Sequence, residues 1–359
     1  MNSAFWEGRR VFLTGHTGFK GSWLSLMLQQ AGAHVTGFAL PPPTQPNLFE
    51  QADLAAGMTS ITGDVRDFAA LQAAMRDCRP EIVLHLAAQP LVGYSYQHPV
   101  ETYATNVMGT VHLMEAVRQT GGARAVVNVT TDKCYENREW SWPYRENETL
   151  GGHDPYSNSK ACSELVSACF RDSFFPRAEF DSHGVAVATA RAGNVIGGGD
   201  WAANRLIPDI LAAFGRGEAA DIRSPASVRP WQHVLEPLSG YLALAESLHE
   251  HGPHYAEAWN FGPRTDDARP VAWIADKMAS LWGDGASWRQ AASLQHHEAG
   301  QLRLDSSKAA ERLGWQPRLR LEEALRMTVE WSKQYLNGAD LRALTQDQIR
   351  HYGSLTQAD

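Results

Sequence analysis

Three glycines, each three residues from the next, constrain the fold of this chain more than any other feature. Gly15, Gly18 and Gly21 follow the apolar run 11–13 and precede the apolar-rich stretch 23–28. A strand that enters a glycine turn and then a helix directs backbone N–H groups toward one point, where a dinucleotide pyrophosphate binds without side-chain charge. The spacing is not the G-x-G-x-x-G of ordinary dehydrogenases, and a glycine triplet alone is a weak signal. Its position near the start of the chain strengthens the prediction of a dinucleotide-binding domain.

Further apolar runs predict the rest of a sheet. They lie at 33–40, 81–86, 123–130 and 184–191 and alternate with helix-like stretches. Their hydrophobicity is continuous rather than alternating, which is typical of parallel strands covered on both faces. We therefore predict a doubly wound α/β fold with a parallel sheet. With 359 residues, 43% of them hydrophobic, the chain is long enough for one large domain or two interlocked domains.

Charge and cysteine content argue against several classes of protein. The formal net charge is −8 and there is no long lysine or arginine run, which argues against nucleic-acid binding. Four cysteines without a C-x-x-C pair indicate reduced thiols and no metal site. The sequence shows no basic-then-apolar leader, and no segment approaches the roughly twenty apolar residues of a membrane span. We expect a cytoplasmic protein that binds a small ligand and no membrane.

A tyrosine and a lysine four residues apart provide candidate proton-transfer chemistry. On a helix, Tyr156 and Lys160 lie on one face, where the lysine ammonium favours the ionised phenol. A free tyrosine has a pKa of about 10, too high for a base at neutral pH, and cationic neighbours would lower that pKa. Any helix can carry such a pair, so the pair becomes informative only together with other motifs.

Four motifs narrow the interpretation. They are Thr-Gly-His-Thr-Gly-Phe-Lys-Gly at 14–21, Leu-Ala-Ala-Gln-Pro at 86–90, Thr-Thr-Asp-Lys-Cys-Tyr at 130–135 and Gly-Asn-Val-Ile-Gly-Gly-Gly-Asp at 193–200. Over nearly the whole chain the sequence resembles the extended short-chain dehydrogenase/reductase family, whose members mostly act on nucleotide-activated sugars. Within that family it most resembles the 4,6-dehydratases. The resemblance implies NAD as cofactor, CDP-glucose as small-molecule substrate, and a homodimer formed through the helices that carry 106–118 and 156–170.

The resemblance also assigns the residues that contact NAD. They are Gly15, His16, Thr17, Gly18, Phe19, Lys20, Gly21, Asp64, Val65, Leu86, Ala87, Ala88, Gln89, Asn106, Tyr156 and Lys160. Asn106 is expected to support the tyrosine through a water molecule, whereas His85, inside a strand, is more often a core histidine. Residues 37–41 contain neither the acid that holds the adenine ribose in many relatives nor a basic replacement. We therefore expect NAD from the resemblance alone, with weaker retention than usual.

The candidate catalytic triplet is Thr131, Asp132 and Lys133. It follows the run 123–130, and open α/β sheets bind ligands at the carboxyl ends of their strands. Thr131 can hydrogen-bond the sugar hydroxyl that is oxidised. The resemblance assigns Asp132 as acid and Lys133 as base, although related dTDP- and GDP-sugar dehydratases carry glutamate at that last position. Lys133 must be neutral to accept a proton, so its pKa must be depressed by burial beside cations; a solvated lysine after the strand is the alternative.

The implied reaction starts and ends on the same sugar. Tyr156 takes the proton of the C4 hydroxyl while C4 is oxidised, water is lost across C5 and C6, and C6 is then reduced. The product is a 4-keto-6-deoxy sugar, and NAD is regenerated. The resemblance thus implies a lyase built on a dehydrogenase fold.

Substrate contacts are expected beyond the catalytic triplet. The resemblance places them at Gln89, Thr131, Asn194, Arg205, Arg229 and Trp231. Arginine suits paired phosphate oxygens because its planar fork offers two parallel donors, although either arginine can be an ordinary surface residue. Trp201 or Trp231 can stack on a pyrimidine, but with twelve tryptophans in the chain core packing is the more common role.

The predicted domains are interleaved. The NAD-binding domain comprises 1–190 plus about 231–262, and a smaller C-terminal substrate domain comprises about 191–230 plus 263–359. Two other functions remain open. One is a nucleotide-sugar epimerase or another dehydratase of the same fold; an epimerase needs no acid–base pair across C5 and C6. The other is a non-enzymatic NAD-binding protein, against which the retention of Thr131, Tyr156 and Lys160 argues.

Overall fold

A parallel sheet of seven strands, in the order β11-β6-β5-β4-β1-β2-β3, forms the centre of the molecule. The structure, a computed structural model, describes residues 2–291 and 301–355. The strands are β1 (Arg10–Thr14), β2 (His34–Ala39), β3 (Thr59–Thr62), β4 (Ile82–His85), β5 (Ala125–Val129), β6 (Ala186–Ala192), β7 (Val195–Ile196), β8 (Ala220–Ile222), β9 (Val228–Arg229), β10 (Gln232–His233), β11 (Ala258–Phe261), β12 (Arg269–Pro270) and β13 (Trp288–Gln290).

Helices cover both faces of the sheet. They are α1 (Ser3–Trp6), α2 (Phe19–Gln30), α3 (Leu48–Gln51), α4 (Phe68–Cys78), α5 (Val92–Gln97), α6 (Pro99–Tyr103), α7 (Gly109–Thr120), α8 (Pro155–Ser173), α9 (Phe180–His183), α10 (Leu206–Gly215), α11 (Leu235–His251), α12 (Val271–Trp282), α13 (Ser307–Leu313), α14 (Leu321–Leu336) and α15 (Leu341–Ser354). On one face α2 and α11 pack in a core with residues such as Trp23 and Leu242, and on the other α4 and α7 pack in a core with Met75 and Leu113. The predicted doubly wound α/β fold is confirmed.

The five predicted strands correspond to β1, β2, β4, β5 and β6. Their apolar residues are buried because helices lie on both sides, which explains the continuous runs. Two sheet strands lie outside the prediction. β3 is an edge strand whose residues are largely exposed and polar, and β11 is the opposite edge strand, whose short sequence is interrupted by the polar Asn260, so neither carries a long apolar run.

A second, smaller hydrophobic cluster lies outside the sheet. It joins α10, α12 and α14 through residues such as Ile210, Ile274 and Leu325, and it forms the core of a smaller C-terminal helical domain. The chain crosses between the two cores, because α11 and β11 belong to the sheet layers while Trp331 of α14 and Tyr352 of α15 return to the sheet-side core. The predicted domain boundaries stay a prediction. Every helix in the described ranges falls short of the apolar length needed to cross a bilayer.

Candidate active site

The strand register brings the ends of the central strands to one edge of the sheet. Thr14 of β1 pairs with His85 of β4, and His85 pairs with Asn128 of β5. The segments that follow these strands therefore meet at the carboxyl edge, where open α/β sheets bind ligands. His85 itself is a buried histidine with a hydrogen-bond partner, as expected. Its Nδ1 lies 2.7 Å from Thr14 Oγ1, and burial lowers the pKa of His85 to about 3.

The glycine turn after β1 forms a tight cradle that only glycine fits. Gly15 has φ +77°, and a Cβ added there would lie 2.7 Å from Ala87 N. A Cβ at Gly21 would lie 2.0 Å from Gly15 O. Gly18 is the N-cap of α2, so the first N–H groups of that helix face the turn. This arrangement fits a pyrophosphate held by backbone donors.

Side chains of the turn brace it against the rest of the sheet. His16 is buried with its Nε2 2.8 Å from Ser60 Oγ, and burial lowers the pKa of His16 to about 4, so the ring is neutral. Thr17 donates to Leu40 O at 2.9 Å. Leu40 follows β2, where many relatives carry the ribose-binding acid, and its side chain is exposed. Phe19 begins α2 and packs at the edge of the sheet-side core.

Lys20 points from the turn into the centre of the site. Its Nζ donates to the Oη of Tyr241, a buried residue of α11, at 3.0 Å. Burial lowers the pKa of Lys20 to about 7, and the nearby cations Lys160 and Arg205 add to this effect. Sequence reasoning missed Tyr241, because a single tyrosine in an apolar helix carries no signal of its partner.

Residues expected at the adenosine end lie beside the loops after β3 and β4. The carboxylate of Asp64 accepts from Arg66 Nε at 2.8 Å, and this hydrogen bonding lowers the pKa of Asp64. Val65 is buried against Gly109 at the start of α7. Leu86 and the small residues Ala87 and Ala88 are half-buried along the loop after β4.

Asn106 ties this loop to α8. It lies in a π-helical turn, Ala104–Met108, accepts from Gln89 N at 2.8 Å, and donates to Ser159 Oγ at 2.9 Å. Its predicted water-mediated support of the tyrosine stays a prediction. The Gln89 side chain already has two hydrogen bonds within the protein. It donates to Thr102 Oγ1 of α6 at 2.9 Å and accepts from Leu91 N at 2.6 Å.

The tyrosine and lysine are positioned by the start of α8. Asp154 caps the helix by accepting from Ser157 N at 2.9 Å, which places Tyr156 in the first turn and Lys160 one turn later. Lys160 is buried and its Nζ donates to Val129 O at 3.0 Å. Burial lowers the pKa of Lys160 to about 8, and Glu164 opposes that change.

The pKa of the phenol differs from the expectation. We expected cationic neighbours to lower it, but in the protein chain burial raises the pKa of Tyr156 to about 12, against a hydrogen bond with Thr131 that lowers it. Desolvation penalises the phenolate more than the side chains nearby stabilise it. Positive charge supplied on binding must therefore help to ionise this group.

The central member of the candidate catalytic triplet, Asp132, has a buried carboxyl group. Thr131 Oγ1 donates to Asp132 Oδ1 at 3.0 Å, whereas Asp132 Oδ2 has no hydrogen-bond partner among the described residues. Asp132 is 1% exposed, and burial raises its pKa, although the nearby Lys133 and Arg229 oppose this. Lys133 is half-buried. Burial thus shifts this carboxyl group toward its protonated form, in which it can act as an acid.

The expected phosphate-binding arginines lie at the same edge. Arg205 Nη1 pairs with Asp200 Oδ2 at 3.0 Å and is close enough to Lys20 to lower its pKa. Arg229 Nη1 donates to Val228 O at 3.0 Å. Both side chains are partly exposed. The main-chain oxygen of Asn194 accepts from Gln232 N at 3.0 Å, which pins the segment after β6 beside β10.

Trp231 lies in the core rather than on an open surface. It is 6% exposed within the second cluster, and its Nε1 has no partner in the described part of the chain. Trp201 packs edge-on against Trp331 and Tyr335. The contact predicted between Trp231 and substrate stays a prediction. Both tryptophans pack against hydrophobic clusters.

Comparison with known proteins agrees with this geometry. The family model for GDP-mannose 4,6 dehydratase matches residues 12–250. CDP-glucose 4,6-dehydratase of Salmonella typhimurium is 57% identical over 356 residues, covering 99% of each chain. Among solved structures, MoeE5 in complex with UDP-glucose and NAD aligns with a TM-score of 0.74 at 25% identity, covering 91% of this chain and 99% of that one. DesIV, the dTDP-glucose 4,6-dehydratase from Streptomyces venezuelae with NAD and TYD bound, aligns with a TM-score of 0.78 at 24% identity over 92% and 98%.

These findings confirm the family resemblance inferred from the glycine turn and the Tyr156–Lys160 pair. The family model covers well over half of the chain, and the Salmonella protein matches it from end to end. The chain belongs to the GDP-mannose 4,6-dehydratase family.

Proposed function

We propose that the chain catalyses the CDP-glucose 4,6-dehydratase reaction, converting CDP-D-glucose to CDP-4-keto-6-deoxy-D-glucose and water. The observation that carries the proposal is the buried carboxyl of Asp132, with one oxygen unpartnered among the described residues, next to the Thr131–Tyr156 hydrogen bond. This acid lies in a chain 57% identical, over 99% of its length, to a CDP-glucose 4,6-dehydratase. An epimerase has no need of an acid at this place.

The cofactor is NAD, and the residues of the turn fit it. The cradle at Gly15 and Gly21 leaves no room for a Cβ, and the N–H groups at Gly18 and the start of α2 suit a pyrophosphate. When bound, NAD supplies the oxidising and then the reducing equivalents, so none is consumed overall.

Oxidation at C4 depends on three side chains. Thr131 hydrogen-bonds the C4 hydroxyl and orients it toward Tyr156, whose phenolate takes the hydroxyl proton as C4 becomes a ketone. The ammonium of Lys160, one helical turn away, favours that phenolate. Because burial holds the pKa of Tyr156 near 12 with Lys160 already in place, the step also needs positive charge that the bound oxidised nicotinamide would supply.

Elimination then uses the neighbouring pair. Lys133 takes the proton from C5, which the C4 ketone has made acidic, and Asp132 gives its proton to the C6 hydroxyl, which leaves as water. Reduction at C6 follows, and the proton on Lys133 returns to C5. Net transfer of the Tyr156 proton to Asp132 through solvent then restores both groups. The raised pKa of Asp132 supports its role as the donor.

The nucleotide diphosphate is held by the partly exposed arginines. Arg229 lies next to Asp132, and Arg205 lies next to Lys20, so the two flank the catalytic groups. Their planar forks suit the paired oxygens of a diphosphate. The main chain at Asn194 and the loop at Gln89 enclose the sugar between them.

A homodimer through α7 and α8 is part of the proposal. Leu165 on α8 is 58% exposed, and Met108 just before α7 is 46% exposed. Exposed apolar side chains on adjacent helices support an interface. Sedimentation should give a dimer, and Leu165→Glu should shift it toward monomer.

The four free thiols support a cytoplasmic location.

The test is an assay against a panel of sugar nucleotides. Purified protein is incubated with NAD and CDP-, dTDP-, GDP- or UDP-glucose, and the alkaline absorbance of a 4-keto-6-deoxy product is followed. We expect product from CDP-glucose, with a mass lower than substrate by one water. A product that keeps the substrate mass would indicate an epimerase, and no turnover of CDP-glucose would overturn the proposal.

A further inference from the structure

A buried ion pair lies directly behind the catalytic lysine. Glu164 follows Lys160 by one helical turn on α8, and its Oε2 pairs with Arg191 Nη2 of β6 at 2.8 Å. Both side chains are 3% exposed. A buried ion pair costs desolvation energy and is weak support for stability, so its place beside the active site calls for another role.

The surroundings of Glu164 keep it ionised. It accepts from Thr130 Oγ1 at 2.5 Å and from Thr189 Oγ1 at 2.6 Å, in addition to the guanidinium. These donors and the Arg191 charge lower the pKa of Glu164 although burial opposes them. Arg191 is in turn held by Tyr135, whose Oη accepts from Nη1 at 2.8 Å.

Among the described residues, Glu164 is the carboxylate whose charge acts on Lys160. The groups that face Lys160 are Glu164 on α8, Cys134 in the turn after β5, His85 on β4 and Lys20 on α2. Tyr156 precedes Lys160 by one turn on the same helix. Burial keeps Cys134 as a thiol by raising its pKa, and keeps His85 neutral. Lys20, where protonated, repels the Lys160 ammonium. Without Glu164, burial and this repulsion both favour neutral Lys160.

We propose that Glu164 is a positioning residue that keeps Lys160 charged, and that Arg191 in turn holds Glu164 in its ionised form. The assay for this role rests on the proposed function, because it reads the step in which Lys160 favours the Tyr156 phenolate. The charge of Lys160 itself is measurable without turnover. The two readouts therefore separate failure of this inference from failure of the proposed dehydratase activity.

The central variant is Glu164→Gln, which keeps the shape and removes the charge. Loss of a nearby opposite charge should move the titration of Lys160 down by about one pH unit. The alkaline limb of the kcat–pH profile should move down by the same amount. Arg191→Gln removes the cation that holds Glu164 ionised, so Glu164 takes up a proton and the limb should again move down. Thr189→Val, which removes one neutral hydrogen bond, is the matched control and should leave the limb in place.

Lys160 is also titrated directly by NMR. The chain has six lysines, so protein labelled with 13C at lysine Cε gives few resonances, and Lys160→Met identifies the one required. We expect the Lys160 resonance to titrate lower in Glu164→Gln and in Arg191→Gln, and as in the parent in Thr189→Val. If Glu164→Gln does not fold, the downward shift in Arg191→Gln still tests the inference. Unchanged titration in the folded variants, with kcat reduced equally at all pH values, would overturn it and leave Glu164 a purely structural residue.

Discussion

An added Cβ at Gly193 would lie 3.0 Å from Asp132 Oδ2 and 2.8 Å from the Cγ of Pro230, so Gly193 leaves room for the proposed acid and for little else. Gly193→Ala must displace the carboxyl or the proline ring. Because small misplacement of a reacting group can cost about a hundredfold, we expect kcat with CDP-glucose to fall about ten- to a hundredfold.

NAD binding, measured by fluorescence titration, should persist in Gly193→Ala, since the turn at Gly15 is untouched. Gly353→Ala on α15 is the control: nothing lies within 4 Å of its added Cβ, and it should behave as the parent protein. Unchanged kcat in Gly193→Ala would mean that the Asp132 carboxyl is not required in its observed position.

Asp132→Asn and Tyr156→Phe should block different halves of the reaction. Tyr156→Phe removes the base for the C4 hydroxyl, so we expect a loss of about a hundredfold or more with no build-up of reduced cofactor. Asp132→Asn leaves that step possible but removes the proton donor for the C6 hydroxyl. Absorbance of reduced cofactor should therefore accumulate on mixing Asp132→Asn with CDP-glucose. Equal spectra for the two variants would contradict the roles assigned here.

Gly18→Ala and Gly21→Ala should separate cofactor binding from folding. A Cβ at Gly21 would meet Gly15 O at 2.0 Å, so Gly21→Ala should lower the Tm of the protein without cofactor. At Gly18 the nearest atom to an added Cβ is 3.5 Å away, so Gly18→Ala should keep its Tm. It should nonetheless bind NAD more weakly, because this Cβ lies where the pyrophosphate approaches the backbone. Thermal melts with and without NAD measure both effects.

Glu236 should make stability depend on pH. Its Oε1 accepts from Leu319 N at 2.6 Å, its Oε2 accepts from Tyr352 Oη at 2.8 Å, and burial raises the pKa of Glu236 to about 7. The folded state thus binds a proton on Glu236 more tightly than the unfolded chain does. Protonated Glu236 therefore contributes its full stabilisation below the ordinary carboxyl pKa, and this stabilisation is lost as pH rises to about 7.

Glu236→Gln should remove this pH dependence. Between about pH 4.5 and 7 the parent should lose about 2 to 3 kcal/mol of unfolding free energy that the variant does not lose. Urea unfolding at both ends of the range measures the difference. Glu330→Gln, at a half-exposed site on α14, is the control and should follow the parent. Parallel pH curves for the parent and Glu236→Gln would contradict the assignment.

Much of the sheet was predictable because its signals are local. A strand buried on both faces must be apolar along its length, so the runs at β1, β4, β5 and β6 are visible in the sequence. β3 was less visible because an edge strand buries little of its surface. The placement of Tyr156 and Lys160 one turn apart on a helix was predictable for the same reason, since their spacing is local.

By itself, the sequence determined the glycine turn, the parallel strands and the residue types at the catalytic edge, because each depends on neighbours within a few positions. Only the tertiary structure decided the charge states and partners. Examples are the buried Asp132, with one oxygen unpartnered among the described residues, Lys20 against Tyr241, Trp231 inside a core, and Glu164 between Thr130, Thr189 and Arg191. A pKa depends on how much water the assembled fold removes and which charges it brings close. Residues distant in sequence set both.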